Sequence, residues 1–447
     1  MQDPTPSPPW PEGFGLTLDP GTRRTGGGLL VGGQPGRLLR LSPAGQRLLA
    51  RLEAGEPVPG GEAASRFARR LVRAGLAHPR PGGGAGGAGA SGVTLVVPVR
   101  RDPAGLARTR AGAGPCGEVV VVGDDHDPPR GPAAARNIGW RQAATPLVAF
   151  LDAGCEPQPG WLGPLLAHLA DPAVAAVAPR VVASAGAGVL SRYESHSSPL
   201  DMGPIPAAVR PGTRVPFVPT AALVVRRDAL EGVGGFDESL RHGEDVDLVW
   251  RLHRAGWEVR YEPAVLVSHP PRPGVGPWAL QRYRYGRSAA ALHHRHPGAL
   301  APVVVRPRTL ACLALAAAGR PALAAATGLG RLPLVLPWKE ALHLAGRSHL
   351  AGAGQVARAT VRAWWPATAL AALAWPRARL PLAGAALGPP VLAWLGAGRR
   401  RGPGLATWLC LRLADDLAYG TGLWAGCLRH RTSGPLLPRL SPPSVLE

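Results

Sequence analysis

The sequence predicts an α/β fold, with an open central sheet, a small winged-helix-like module in front of it and a hydrophobic helical region behind it. Three observations support this prediction. Charge-free runs of β-branched residues alternate with helical patterns through the middle of the chain, and several of these runs end in a carboxylate. A glycine-rich segment separates them from the front of the chain. Leucine, alanine and tryptophan dominate the last third of the 447 residues.

The front of the chain is predicted to hold a tail, residues 1–28, and a small module, residues 29–80. In the module, Ser42 is placed to cap a helix whose first residue is Pro43. A second helix is predicted over residues 62–74, and short apolar runs before the first helix indicate strands. This number of short elements is typical of a winged-helix-like fold. The alternative is a simple cap that packs on the next domain.

The middle of the chain follows a flexible linker at residues 81–92 and is predicted to form an open sheet. Buried strands are predicted at residues 93–98, 118–122, 147–151, 174–182 and 215–225. Helical patterns lie at residues 133–140 and 243–252. Because the carboxyl ends of parallel strands meet at one edge of a sheet, we expect a ligand site at that edge.

Acidic residues cluster at the ends of these elements. Asp124 and Asp125 follow the second strand, Asp152 follows the third, and Glu244 and Asp245 lie in the first turn of the second helix. A diphosphate-sugar donor needs a carboxylate for its nucleoside, another for a divalent cation on the diphosphate, and a base for the acceptor hydroxyl. These acids supply such a set, with Asp245 as the base of a direct displacement with inversion. Acids at strand ends and in a first helical turn also suit purely structural roles.

Four segments carry a resemblance to a known family: VTLVVPV from residue 93, VVVVGDD from 119, AARNIGWRQAATPLVAFLDAGCEP from 134 and VGGFDESLRHGEDVDLVWRLHRAGWEVRYEP from 233. Over residues 92–298 the chain resembles the family 2 glycosyltransferases, whose GT-A fold is a Rossmann-like nucleotide-diphospho-sugar transferase domain. The resemblance implies that Asp245 is the base, with Glu244 beside it. It also implies a donor-binding set made of Asp124, Asp125, Arg136, Asn137 and Asp152.

One position departs from the pattern of this family. The resemblance implies an Asp-x-Asp metal motif that opens at Asp152, but residue 154 is a glycine. Glu156 or His269 would then complete the site for Mg²⁺ or Mn²⁺, or the cation would rest on Asp152 alone. Gly154 therefore weakens the expectation of a divalent cation, and a homologue with impaired activity is the alternative.

A further element lies at residues 281–286, with the sequence QRYRYG. It resembles the Gln-x-x-Arg-Trp element of processive family members, with Tyr285 in place of tryptophan. The resemblance implies that Gln281, Arg284 and Tyr285 bind the donor, with Arg284 at the diphosphate and the aromatic ring stacked on the acceptor sugar. A basic amphipathic helix at a membrane surface is the alternative.

Two more segments, SRYESHSSPLDMG from residue 191 and RYGRSAAALHHRHPG from residue 284, complete the pattern. With a PqqD-like front module and a hydrophobic tail, the chain resembles the mycofactocin biosynthesis glycosyltransferases of actinobacteria. That family implies transfer of several glucose units from a nucleotide-sugar donor to a peptide-derived redox cofactor, alongside other proteins of the pathway. Two alternatives stay open. One is a membrane enzyme with a lipid or cell-wall polysaccharide acceptor, and the other is a non-catalytic binder of sugar nucleotides or peptides.

The net charge of +21 is unevenly distributed. Residues 271–447 hold 22 Lys and Arg against 4 acids, in a stretch rich in leucine and tryptophan. Basic residues among apolar ones favour a membrane surface, and no nucleic-acid partner is expected. Residues 299–447 are therefore predicted to be a membrane-associated helical region. At least one span, at residues 380–398, is favoured over helices that lie in the membrane interface. The five cysteines show no metal-ligand spacing, and their odd number argues against a secreted disulfide framework, which favours a cytoplasmic location for the catalytic domain.

Overall fold

The computed structural model describes residues 8–34, 36–82, 89–123, 130–317, 319–329, 337–396 and 402–440. These residues form two compact units. The first contains the described residues up to Ala185 together with Ser197–Pro271, and the second contains Gly186–His196 and the described residues from Arg272 onward. The boundary predicted at residue 298 therefore lies too late in the chain, because the helix that carries residues 281–286 belongs to the second unit.

The N-terminal part of the first unit begins earlier than predicted. Its elements are β1 (Gly15–Leu18), β2 (Arg23–Thr25), β3 (Leu29–Gly32), β4 (Arg37–Arg40), α1 (Pro43–Glu53), α2 (Glu62–Arg73) and β5 (Ala77–Arg80). Strands β2, β3 and β4 form an antiparallel sheet, and β1 pairs with β5. Trp10, Phe14 and Leu16 lie in the same buried core as Leu49 and Leu71. The prediction of a tail is therefore wrong from Trp10 onward, because these apolar side chains complete the core of the module.

Helix α1 begins where the sequence predicts. The Ser42 hydroxyl accepts a hydrogen bond from the backbone N–H of Gly45 at 3.2 Å, and Pro43 is the first helical residue. Half of the predicted linker, residues 83–88, lies outside the described part of the chain. The boundary after this module therefore lies between the end of β5 at Arg80 and the start of the next strand at Val93.

Buried ion pairs join this module to the rest of the first unit. Arg69 from α2 donates hydrogen bonds to both carboxylate oxygens of Asp171, at 2.7 and 2.8 Å. Arg260 donates to the same carboxylate. Burial alone would raise the pKa of Asp171, but the hydrogen bond from Arg69 and the charge of Arg260 lower it. A bidentate pair of this kind fixes the orientation of the module through directed hydrogen bonds.

The rest of the first unit is the predicted α/β domain. Its strands are β6 (Val93–Val99), β7 (Glu118–Gly123), β8 (Leu147–Leu151), β9 (Glu156–Pro157), β10 (Val174–Ala183), β11 (Ala207–Ala208), β12 (Ala222–Arg226) and β13 (Glu258–His269). Its helices are α3 (Pro103–Gly112), α4 (Pro132–Gln142), α5 (Leu162–His168), α7 (Arg227–Val233) and α8 (Glu244–Arg254). Helix α6 (Val189–Ser197) falls between them in the chain but lies almost wholly in the second unit.

These strands form one sheet in the order β11-β13-β10-β12-β8-β6-β7, with β9 also paired to β13. Strands β7 and β8 run parallel to β6, whereas β12 runs antiparallel between β8 and β10. The strand predicted at residues 215–225 is shorter than expected, because only Ala222–Arg226 pairs with its neighbours. Pro216 and Pro219 precede it and have no N–H to donate to a strand partner. The carboxyl ends of β6, β7 and β8 meet at one edge, as predicted.

The second unit is helical. After α6 its elements are α9 (Val275–Arg295), β14 (Val304–Val305), α10 (Pro307–Ala317), α11 (Pro321–Leu329), α12 (Trp338–Arg362), α13 (Trp365–Ala374), α14 (Arg379–Gly396), α15 (Leu405–Arg429) and β15 (Arg439–Leu440). Helices α9 and α15 pack closely because Gly286, Gly422 and Gly426 lack side chains where the partner backbone passes. A Cβ atom at any of the three would collide with a carbonyl of the facing helix. The glycines therefore set the spacing of this helix pair.

A buried charge cluster lies within the helices of the second unit. Arg282 of α9 is 1% exposed and forms an ion pair with Glu194 of α6. Its Nε donates to Asp415 of α15 at 3.1 Å, and Trp278 Nε1 donates to Glu194 at 2.9 Å. Burial raises the pKa of Glu194, and the charge of Arg282 opposes that shift. Helix α6 is thus tied to α9 and α15 by charged hydrogen bonds, which explains why it belongs to this unit.

The described helices of the second unit do not bear out the predicted membrane span. In the part of the chain that the structure describes, no helix is both long and apolar enough to cross a membrane. Residues 380–398 were the predicted span, and α14 covers most of them with Pro389 and Pro390 inside the helix.

Candidate active site

Asp152 lies at the carboxyl end of β8, in a tight turn. Its backbone N–H donates to the carbonyl of Ala221 at 3.0 Å, and its carbonyl accepts from the N–H of Cys155 at 3.0 Å. The N–H of Gly154 donates to the hydroxyl of Thr109 at 2.9 Å, which attaches the turn to helix α3. The side chain of Asp152 is 29% exposed. The prediction that this carboxylate ends the strand at the sheet edge is confirmed.

Arg136 links this turn to helix α8. Its Nη2 donates to Asp152 Oδ1 at 2.8 Å, and its Nη1 donates to Glu244 Oε1 at 2.9 Å. Helix α4 brings Arg136 close to the sheet because Gly139 has no side chain to collide with Val96 of β6. Burial alone would lower the pKa of this arginine, but the charges of Asp152 and Glu244 raise it. The guanidinium therefore stays protonated and holds two predicted site carboxylates in place.

The first turn of α8 carries three acidic residues. Each makes different contacts, which indicate different roles. Glu244 binds Arg136, and Asp247 forms an ion pair with Arg251 at 2.7 Å. Asp245 is partly exposed and, among the hydrogen bonds of the described residues, accepts only from backbone N–H groups, with that of Val246 at 2.8 Å. Burial and the neighbouring charge of Glu244 raise the pKa of Asp245 to about 7. Asp245 is thus the acid best suited to exchange a proton near neutral pH.

Asn137 has a positioning role in place of the predicted donor contact. Its side chain is 1% exposed and donates to the Phe236 carbonyl at 2.9 Å and to Glu238 at 2.8 Å. Its Oδ1 accepts from the N–H of Phe236 and from Trp140 Nε1, both at 2.9 Å. Gly235 has a φ of +72°, and a Cβ atom there would press on the Asn137 amide. Asn137 therefore holds the loop that leads into α8.

For five predicted site residues, no contact with the donor is tested by the structure. Asp124 and Asp125 lie outside the described residues. Gln281, Arg284 and Tyr285 lie on α9 in the second unit, where Gln281 Nε2 donates to the Tyr285 hydroxyl at 3.0 Å. Their donor contacts, and those of the two aspartates, stay predictions.

The residues predicted to hold a divalent cation do not make a complete set of ligands. Asp152 already accepts a hydrogen bond from Arg136, and Gly154 supplies no side chain. Glu156 lies 3.5 Å from Arg108 Nε, and the His269 carbonyl accepts from the N–H of Ser184 at the end of β13. Among the described residues, no group of three or more His, Cys, Asp or Glu side chains is arranged to bind a metal ion. The second carboxylate of the family's metal motif is therefore missing at residue 154, and Arg136 already engages the first.

Two features of the first unit escaped sequence reasoning. Thr109 and Arg108 of α3 contact or approach the Asp152 turn, although α3 carries none of the recognised motifs. A cavity of about 650 Å³ also lies where the N-terminal module meets strands β11 and β13, and it includes Arg210 and Trp257 in its lining. Burial and the charge of Arg37 lower the pKa of Arg210. Neither feature has a local sequence signal, since each depends on segments distant in the chain.

Comparison with known proteins identifies the class to which this site belongs. The family model "Glycosyl transferase family group 2" matches residues 147–382, so the chain is a glycosyltransferase of that group. Over 96% of its length, the chain is 39% identical to the pre-mycofactocin glycosyltransferase of Mycobacterium tuberculosis, and it covers 98% of that protein. It belongs to the pre-mycofactocin glycosyltransferase family. The mixed sheet and the family together confirm the predicted α/β fold of GT-A type.

Other similarities cover less of the chain or are weaker. Glycosyltransferase AglE of Haloferax volcanii is 29% identical over 36% of this chain and 51% of its own length. Among solved structures, the mannosyltransferase PcManGT of Pyrobaculum calidifontis, in complex with GDP-Man and Mn²⁺, is similar with a TM-score of 0.40. That similarity has 18% identity and covers 74% of this chain and 87% of the other.

Proposed function

We propose that this chain transfers glucose units, one after another, from a nucleotide-glucose donor to pre-mycofactocin, with inversion at the anomeric carbon. The acceptor is inferred from the name of the relative that matches almost the whole chain. The observation that carries the chemistry is Asp245, an acid of raised pKa that no described arginine engages by a hydrogen bond. It lies beside the Arg136 bridge between Asp152 and Glu244.

In this mechanism Asp245 accepts the proton of the attacking hydroxyl. The acceptor oxygen then forms a bond to the anomeric carbon while the bond from that carbon to the diphosphate breaks. The nucleoside diphosphate leaves with the electron pair of that bond. Arg136 is a positioning residue, because it fixes the side chains of Asp152 and Glu244. These proton and glycosyl transfers do not themselves require a metal-bound group, and the second carboxylate of the family's metal motif is absent at Gly154.

The donor is proposed to lie along the carboxyl edge of the sheet. Asp152 faces that edge from the end of β8, and Asp124 and Asp125 follow β7 in the sequence. We assign the two aspartates after β7 to the nucleoside. Gln281, Arg284 and Tyr285 of α9 are proposed to contact the donor diphosphate and the acceptor sugar, as the family element implies.

The transfer activity is testable with purified full-length chain. Incubated with UDP-glucose or GDP-glucose and the peptide-derived acceptor, the chain should add hexose units, detected by mass spectrometry of the acceptor. A parallel reaction with polyprenyl phosphate tests the alternative lipid acceptor, and a Glu244→Gln, Asp245→Asn double variant is the background control. Donor binding without transfer to either acceptor would contradict the proposal and favour a non-catalytic homologue.

The proposed place of action is the cytoplasmic face of an anionic membrane. Around the junction of α13 and α14 several apolar side chains are largely exposed: Leu373 is 74% exposed, Trp375 65% and Leu380 83%. Arg377 and Arg379 lie among them. Leucine and tryptophan that enter the interface, with arginines that meet anionic headgroups, are typical of segments that lie on a membrane. The +21 net charge of the chain, concentrated in its last third, favours the same partner.

Vesicle binding tests this surface. A Trp375→Ala, Leu380→Ala variant should bind vesicles of phosphatidylcholine and phosphatidylglycerol at least about tenfold more weakly, since each lost side chain removes roughly 1.5–3 kcal/mol of burial. Leu428→Ala, at a position that is 74% exposed outside this segment, is the matched control and should bind normally. Equal binding by all three proteins, or binding to pure phosphatidylcholine that matches the anionic vesicles, would contradict the assignment.

A further inference from the structure

The turn after β8 is built around a glycine at the position where the family expects a second aspartate. Gly154 has a φ of +91°, in the left-handed region that side chains other than glycine rarely adopt. A Cβ atom added there would lie 3.1 Å from Pro270 Cγ and 3.6 Å from its Cδ. The Gly154 N–H is held by the Thr109 hydroxyl, which fixes this conformation. A side chain at residue 154 would therefore be strained, and the turn lacks a second carboxylate.

A guanidinium lies beside the position that this carboxylate would occupy. Arg108 Nη2 is 3.9 Å from the ideal Cβ position of residue 154. Arg108 belongs to α3 and directly precedes Thr109, so the contact that holds the turn also places Arg108 next to it. The side chain of Arg108 is 50% exposed and approaches only Glu156, with Nε 3.5 Å from Oε1, among its described ion pairs. Its hydrogen-bond donors are therefore accessible to a ligand at the sheet edge.

The charges around Asp152 also favour an arginine as the ligand of the donor diphosphate. A divalent cation in a donor site binds carboxylates of the protein and oxygens of the diphosphate together. Here the buried guanidinium of Arg136 already lies between Asp152 and Glu244 at 2.8 and 2.9 Å. The carboxylates of the site thus have a cationic partner of their own. What the site needs for a diphosphate is a further positive charge that faces the donor, and Arg108 is placed to supply it.

We propose that Arg108 binds the diphosphate of the nucleotide-sugar donor in place of a divalent cation, so that donor binding by this chain needs no metal. The inference rests on the proposed function, because it assumes that a nucleotide sugar is the donor. A planar guanidinium can bind two phosphate oxygens at once through parallel hydrogen bonds. When the bond from the anomeric carbon to the diphosphate breaks, the leaving group gains negative charge. Arg108 is then in a position to stabilise that charge.

Binding of UDP and of GDP to the full-length chain, measured by titration calorimetry, tests the proposal. In EDTA the dissociation constant of the nucleotide that binds should stay within about threefold of its value with Mn²⁺. Arg108→Gln should weaken binding about 10- to 100-fold in EDTA, since hydrogen bonds to charged groups contribute about 1.5–3 kcal/mol. Arg108→Lys should recover part of this loss. Arg110→Gln, an exposed position on the same helix, is the matched control and should bind as the unsubstituted chain does.

The outcomes separate this inference from the proposed function. Nucleotide binding that requires Mn²⁺ would overturn the inference and leave the glycosyltransferase proposal intact. Unchanged binding by Arg108→Gln in EDTA would also overturn it. If neither nucleotide binds with or without Mn²⁺, the proposed donor is wrong and the inference fails with it. Gly154→Asp provides a second check, because it should lower stability without creating Mn²⁺-dependent binding, and a gain of such binding would contradict the geometry argued here.

Discussion

Asp245→Asn should abolish glycosyl transfer while the affinity for the nucleotide donor stays within a few-fold of that of the unsubstituted chain. The amide keeps the size of the carboxylate but cannot accept the proton of the attacking hydroxyl. Loss of a general base lowers rates by about 10²- to 10⁴-fold. Because Asp245 accepts hydrogen bonds only from backbone N–H groups, among those of the described residues, its replacement leaves the Arg136 bridge in place. Single-turnover transfer and donor titration on the same protein measure the two effects separately.

The pH dependence of transfer follows from the same carboxylate. Burial and the charge of Glu244 raise the pKa of Asp245 to about 7, and the base must be ionised to act. Transfer should therefore fall as the pH drops below about 7 and level off above it. An Asp245→Asn chain that retains transfer, or a rate that does not change through neutral pH, would contradict the assignment of the base.

Asp247→Asn is the matched control for this experiment. Asp247 lies in the same helical turn, is 1% exposed and pairs with Arg251 at 2.7 Å. Arg251 in turn donates to the carbonyls of Val233 and Gly235, which support the loop before α8. Its replacement should lower the free energy of unfolding, and the folded fraction should still transfer sugar. The comparison of the two variants distinguishes a residue that takes part in the transfer reaction from one that stabilises the fold around it.

The elements that local patterns specify were predictable from the sequence. Ser42 and Pro43 mark the start of α1 because a cap and a first-turn proline act within a few residues. The buried strand before Asp152 was predictable because its residues are apolar throughout and a carboxylate follows. The likeness of the motifs to family 2 glycosyltransferases then pointed to the enzyme class, which the family match confirms.

Other features depend on pairings between distant segments, and no local pattern encodes them. The ion pair of Arg136 with Glu244 spans 108 residues, and the contact of Asn137 with Phe236 spans 99. Trp10 and Phe14 pack against residues such as Leu49 and Leu71, which lie far along the chain, so the prolines and glycines around Trp10 suggested a tail. The membrane span was predicted from apolar composition, but Pro389 and Pro390 lie inside the helix that covers most of it.

Arg136→Met should lower the free energy of unfolding strongly and remove activity. Methionine fills a similar volume but leaves the Asp152 and Glu244 carboxylates, which are 29% and 10% exposed, without their shared cation. Removing one partner of a buried charge pair costs about 3–5 kcal/mol, and the lower end applies here because Asp152 is partly solvated. Denaturant unfolding followed by circular dichroism measures the loss.

Two further variants determine whether charge or packing explains that loss. Arg141→Met, on the same helix at a position that is 54% exposed, removes a 3.8 Å contact with Glu238 and should change stability by at most about 1 kcal/mol. Adding Glu244→Gln to Arg136→Met removes one of the two unpaired charges and should recover part of the stability. It should not recover transfer, because Asp152 would still lack the hydrogen bond that orients it at the end of β8. Stability of the Arg136→Met chain equal to that of the unsubstituted chain would mean that the bridge does not organise the site.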